Sequence, residues 1–249
     1  MSGHSKWANI QHRKGRQDER RGKVFAKLSK RIIMAAREGG GDPALNASLR
    51  AIVDEAKGSE MPKDKIDFAI KRGTGEVEGV NYEVAQYEGY GPGGVAMIIS
   101  CLTDNEKRSV SDVRSIMKKH GGSLGAPGSV TYLFQQKGEI ALPKEAADEE
   151  TLFNLAVEAG AEEIADEDDT WEIRTAPEDF LAVSEAIRGA GLVPERAELT
   201  MIPATTAPVS DTDAPKLFRL LDDLNDHDDV QQVFANFEIS DEVLESLAA

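Results

Sequence analysis

The residues able to do chemistry are concentrated at the amino end. Lys6, His12, Arg13, Lys14, Arg16, Arg20, Arg21, Lys23, Lys27, Lys30 and Arg31 crowd into the first thirty-one positions, with Trp7 among them. Cations at this density neutralise phosphates and release their condensed counterions, and an indole can stack on a base or pack into a groove. Lys63, Lys71 and Arg72 extend the same basic set. Residues 1–37 hold eleven basic side chains against Asp18 and Glu19, a net charge of +9. The competing reading is a solvated helix face behind a loose tail. With about five phosphate contacts, log K would fall with log salt at a slope of about −4 to −5.

Other chemistries find little support. One cysteine, Cys101, excludes a disulfide framework or a cysteine-based zinc site, and it lies in the apolar run Val95–Leu102 like a small core residue. That run is far shorter than the roughly 20 residues of a membrane-spanning helix. Four scattered histidines form no nucleophile–base–acid spacing. The acidic run Glu162–Asp169 lacks the spaced ligands and central glycine of a calcium loop, and Asp226-His227-Asp228-Asp229 reads as a polar turn. Gly89–Gly94 leads into another strand rather than a helix, so it reads as a hairpin and not a phosphate cradle. The expectation is a protein with no enzymatic activity, no metal and no cofactor.

The whole chain of 249 residues carries a net charge of −16, which by itself argues against a nucleic-acid partner. The sum conceals two poles. Residues 140–249 hold twenty-eight acidic and six basic side chains, a net −22. Such a pole repels phosphate and leaves the amino end to approach a polyanion, or it docks a basic protein partner.

These charges need elements to position them. Residues 1–22 show no periodicity and read as a basic arm. Phe25, Leu28, Ile32 and Ala36 recur at helical spacing over Lys23–Arg37, with Lys23, Lys27, Lys30, Arg31 and Arg37 opposite. Asp42-Pro43 predicts a second helix with Leu45, Leu49, Ile52, Val53 and Ala56 inside. Pro62 opens a third, with Ile66, Ala69 and Ile70 inside and Gly73 at its close. The period then falls toward two. Strands are predicted at Val84–Tyr90, Gly94–Leu102 and Ser129–Gln136, with a helix from Thr103-Asp104-Asn105 to about His120. Residues 138–203 read β-α-β-β-α-β, the ferredoxin-like order. A helix at Ala214–Asn225 and a strand at Val230–Phe237 would then complete the interrupted sheet. The fold class expected is multidomain, α and α+β: a three-helix bundle, then two α+β domains with the third, ferredoxin-like one inserted in the second. The boundaries are 1–78, 79–136 with 206–249, and 137–205.

Several long strings carry a family resemblance. GHSKWANIQHRKGRQDERRGKVFAKLSKRIIMAAREGGGDPALNASLR resembles the start of the YebC-like family, as do MPKDKIDFAIKRGTGE, YEGYGPGGVAMII, TDNEKRSVSDVR, GGSLGAPGSVTYLF and DDVQQVFANFEIS. The resemblance runs from Gly3 to about Ser240. It implies three domains of the same layout, and a probable DNA-binding transcriptional regulator. The family also includes a mitochondrial translational activator and ribosome-linked members that ease synthesis of proline-rich sequences. Its start at residue 3 leads to the expectation of a bacterial, cytoplasmic protein. The partners expected are DNA, or ribosomal RNA and the ribosome, with no membrane and no small-molecule substrate. The three helices carry no helix-turn-helix signature, so no base-reading residues follow from the sequence.

Overall fold

The structure is a computed structural model that describes residues 18–167 and 169–238, with side chains from residue 21 onward. Among the described residues, 132–206 form one compact unit, and 18–131 with 207–238 form another.

The larger unit begins with helix α1, Asp18–Gly39. It starts five residues earlier than the periodicity suggests. Helix α2 spans Ala47–Gly58 and α3 spans Lys63–Gly73. The predicted cap of α2 is displaced. Asp42 instead organises a turn, accepting from the Ala44 N–H through its side chain and from Asn46 through its carbonyl. Asn46 is the cap, with its Oδ1 accepting from the Leu49 N–H at 3.0 Å. Its amide also donates to Ala35 O and Gly40 O, so one buried side chain joins the end of α1 to the start of α2. Leu45 therefore lies outside the helix and is 85 % exposed, contrary to the expectation that it faces the core. Leu28, Ile32, Ile33, Leu49, Val53, Met61 and Ile66 pack the bundle. At Gly73 a Cβ would stand 2.5 Å from Ile33 O and 2.7 Å from the Ala36 Cβ. Glycine is what lets α3 approach α1 that closely.

Strand β1 (Glu83–Tyr90) pairs antiparallel with β2 (Ala96–Thr103) through the glycine hairpin, in which Gly93 and Gly94 take positive φ. Helix α4 (Glu106–Lys119) follows, capped by Asn105, and the two-residue strand β3 (Ser123–Leu124) pairs with β1. After the smaller unit, β8 (Ala207–Pro208), helix α7 (Ala214–Asn225), β9 (Val230–Ala235) and β10 (Phe237–Glu238) complete the larger one. The main sheet has the order β3-β1-β2-β9, so the late strand returns to the early sheet as the interrupted pattern implies. Val95, Met97, Ile99, Cys101, Val113, Met117, Leu217, Leu220 and Leu224 fill its core. Burial pushes the Cys101 thiol up to about 12, which leaves it protonated and inert.

Of the predicted strand Ser129–Gln136, only residues 134–136 are extended. Residues 131–133 make a 3-10 turn, and strand β4 runs from Phe134 to Pro143, absorbing the predicted strand at residue 138. The cause is Glu88. Its buried carboxylate, on β1, accepts from the N–H groups of Gly128, Val130 and Thr131 at 2.7–2.9 Å. Amides committed to a side chain are unavailable to a strand ladder. Burial alone would raise the Glu88 pKa, but these donors, with the Thr131 hydroxyl, hold it down at about 2. A depressed carboxylate stabilises the fold fully above its ordinary value of 4.5, and that contribution is lost as pH falls toward 2. Glu88→Ala is expected to cost on the order of 3 kcal/mol in urea unfolding at pH 7, since it leaves buried amides unpaired. The difference from the parent should shrink as pH falls through that window.

The smaller unit holds β4, helix α5 (Glu149–Glu158), β5 (Ala161–Glu167), β6 (Thr170–Thr175), helix α6 (Phe180–Gly189) and β7 (Arg196–Pro203). Its sheet order is β5-β6-β4-β7, every neighbour antiparallel, which is the ferredoxin-like arrangement. Both helices cover a core of Ile140, Leu142, Leu152, Trp171, Ile173, Val183 and Ile187. The alternate residues of the strands carry an acid–arginine network. Arg196 donates to Glu139 at 2.5 Å and stands 3.5 Å from Glu172. Burial, and then the Glu139 charge, push the Glu172 pKa up to about 7 against the pull of Arg196 and Arg174.

Candidate nucleic-acid interface

The predicted cations separate into three groups. Lys6, Trp7, His12, Arg13, Lys14 and Arg16 lie outside the described residues, as does the side chain of Arg20. The second group faces inward. Lys23, Lys27 and Lys30, spaced four and three apart, form a stripe along α1 that meets the turn at residues 225–229. Lys23 pairs with Asp226 at 3.0 Å. Lys27 donates to Asn225 O at 2.6 Å, and its burial lowers its pKa to about 8 despite Asp226 and Asp228 nearby. Lys30 makes an ion pair with Asp229 at 2.7 Å, donates to Asp228 O and lies 5.4 Å from the Tyr82 ring.

Asp229 is the centre of this contact and is 3 % exposed. One carboxylate oxygen accepts from Lys30, the other from Arg108, Ser109 and Thr103. Burial alone would raise its pKa, but the Arg108, Lys30 and Ser109 donors hold it well below the usual carboxylate range. Residues 226–229 form the polar turn expected from the sequence, and its buried Asp229 joins α1, α4 and the loop before β9. Lys30, read in the sequence as a candidate phosphate contact, is committed to Asp229, and Lys27, read the same way, is committed to the Asn225 carbonyl just before that turn. Arg21 and Arg31 pair with Glu60 and Glu55 at 3.1 and 2.8 Å, on half-exposed ground where an incoming phosphate can compete.

The third group is on α3. Lys63 and Lys71 are exposed, and Arg72 is half-buried. Between α1 and α3 lies a cleft of about 540 Å³ lined by Ser29, Ile33, Asp64, Lys65, Phe68, Ala69 and Arg72. Phe68 is 51 % exposed in its wall. The Arg72 guanidinium lies 5.7 Å from the Phe68 ring, and the Lys65 ammonium 5.3 Å from the Phe25 ring. Sequence reasoning overlooked Lys65 and Phe68. Their signal was spacing: a phenylalanine off the apolar face of α3, with cations at i−3 and i+4, meets both on the helix surface. Among the described residues, no group of three or more histidine, cysteine or acidic side chains is arranged to hold a metal, and no helix is long and apolar enough to cross a membrane.

Two family models cover most of the chain. The TACO1/YebC protein N-terminal domain matches residues 5–76, and the TACO1/YebC second and third domain matches residues 82–237. The chain belongs to the TACO1/YebC family. Relatives share its full length. A "Probable transcriptional regulatory protein" of Persephonella marina is 51 % identical over 250 residues and covers all of both chains. Another with that name, from Syntrophotalea carbinolica, is 54 % identical over 242 residues, 97 % of each chain. The crystal structure of a conserved hypothetical protein from Aquifex aeolicus is similar with a TM-score of 0.83 and 44 % identity, covering 91 % of this chain and 94 % of that one. The residues matched by the N-terminal domain include the cationic cleft, and those matched by the second and third domain include most of the acidic pole.

Proposed function

We propose that this chain is a non-catalytic, cytoplasmic regulator of gene expression that binds nucleic acid through its basic amino-terminal segment and helical bundle. The phosphate-contacting set is Lys6, His12, Arg13, Lys14, Arg16, Arg20, Arg21 and Arg31 with Lys63, Lys71 and Arg72. Trp7 offers an indole face for stacking. The observation that carries this reading is segregation of charge: +9 over residues 1–37 in a chain of −16. Duplex DNA is the first target, as a transcriptional regulator requires and as the names of the relatives suggest. One observation favours a second target, RNA on the ribosome: an exposed aromatic ring flanked by cations suits unpaired bases, which duplex DNA does not present. The net negative charge of the acidic pole repels phosphate and attracts a basic protein.

Cosedimentation with ribosomes and binding to duplex DNA, both at physiological salt, separate the two targets. DNA binding without ribosome association supports transcription regulation; ribosome association without DNA binding replaces it with a role in translation. Binding to neither would refute the nucleic-acid reading.

A further inference from the structure

The cleft between α1 and α3 has a more specific chemistry than phosphate neutralisation. We propose that it is a stacking site for an unpaired nucleobase of a single-stranded polynucleotide, with the base on Phe68 and the flanking phosphates on Lys65 and Arg72; this rests on the nucleic-acid reading above. A half-exposed phenylalanine in a cleft wall leaves an apolar ring face in water, where a base can cover it. The floor, Ile33 and Ala69, is apolar and buried, so the cleft does not fill with competing polar groups. Arg72 lies against the ring and holds its charge beside it, where a planar guanidinium reaches a phosphate in bidentate fashion. Lys65 also lines the cleft, one helical turn before Phe68. Asp64 at the rim is an acceptor for an exocyclic amine or a ribose hydroxyl. Over Lys63–Gly73 four cations face two carboxylates, Asp64 and Asp67, in a chain otherwise dominated by acid. An acidic peptide would use the cations but gain little from the ring, and an apolar peptide would bury the cations unpaired. A base with its phosphates uses both. A duplex, whose bases are already stacked, cannot enter.

The test is fluorescence anisotropy of the full chain with a ten-nucleotide oligouridylate, the matching oligothymidylate and a blunt DNA duplex. Phe68→Ala and Phe68→Leu should each weaken single-strand binding about tenfold and leave duplex binding unchanged. Leucine keeps the apolar volume but removes the π face, so it stands if the alanine variant folds poorly. Phe68→Trp should retain affinity and show quenching of its added fluorescence by the single strand. A preference for the uridylate over the thymidylate assigns the site to RNA, and equal affinity assigns it to single strands in general. If both Phe68 variants bind single strands as the parent does, or the parent binds only duplex, the stacking site is refuted while the phosphate reading stands. If the parent binds neither probe at low salt, both fall.

Discussion

Asp229→Ala should strongly destabilise the larger unit, lowering unfolding free energy by about 3 kcal/mol and its thermal midpoint with it. The carboxylate is the shared acceptor for Lys30, Arg108, Ser109 and Thr103. Removing one partner of a buried ion pair leaves the other charge uncompensated at about 3–5 kcal/mol. The lower end applies here, because the Arg108 side chain is 47 % exposed and partly rescued by water and by Asp104 at 2.7 Å. Asp229→Asn tests the charge separately from the shape: the amide is isosteric, but it presents a donor where Lys30 or Arg108 needs an acceptor. The direction with pH is also fixed. A carboxylate held below its ordinary value of 3.8 contributes fully above that value and loses its contribution as pH falls further. The advantage of the parent over Asp229→Asn should therefore be flat from pH 5 to 7 and decline in stronger acid. Urea titrations from pH 7 down to below pH 3.8 measure it.

The second large effect concerns binding. Replacing Lys6, Arg13, Lys14 and Arg16 together by alanine is expected to weaken nucleic-acid affinity by on the order of 10²–10³-fold at physiological salt, with no change in unfolding free energy. Each phosphate contact contributes through counterion release, so four lost contacts multiply. Lys30→Met should do the reverse. It breaks the pair with Asp229 and lowers stability, yet it changes affinity little, because that ammonium faces carboxylate and carbonyl oxygens of its own chain. The opposite signatures separate cations that serve the ligand from cations that serve the fold. Equal losses of affinity from both variants would contradict the division between the cations of residues 6–16 and Lys30 on α1.

Much of the architecture was legible in the sequence, and the exceptions have physical causes. The periodicities of Leu28, Ile32 and Ala36, and of Ile66 and Ala69, mark the bundle because each face buries locally. The β-α-β-β-α-β order gives the ferredoxin-like unit because hairpin and crossover lengths leave few alternatives. The failures came from side chains acting over long separations. Glu88 reaches forty residues ahead for the amides that would otherwise make a strand. Asp229 reaches almost two hundred residues back to Lys30. A helical wheel assigns Lys23, Lys27 and Lys30 to the side away from the core, but it cannot show that an acidic turn covers that side. The same limit applied to the site. Lys63, Lys71 and Arg72 were visible as charge, whereas Phe68 and Lys65 acquire meaning only when α1 closes the other wall of the cleft.

The charge asymmetry is the basis of the whole account, and the salt dependence of affinity tests it most directly. The dissociation constant for one duplex or single-stranded probe would be measured across ionic strength for the parent and for the Lys6, Arg13, Lys14 and Arg16 alanine variant. The parent should show log K falling with log salt at about −4 to −5, and the variant at about −1. A parent slope near zero, or the same slope for both proteins, would contradict capture by the basic amino-terminal segment.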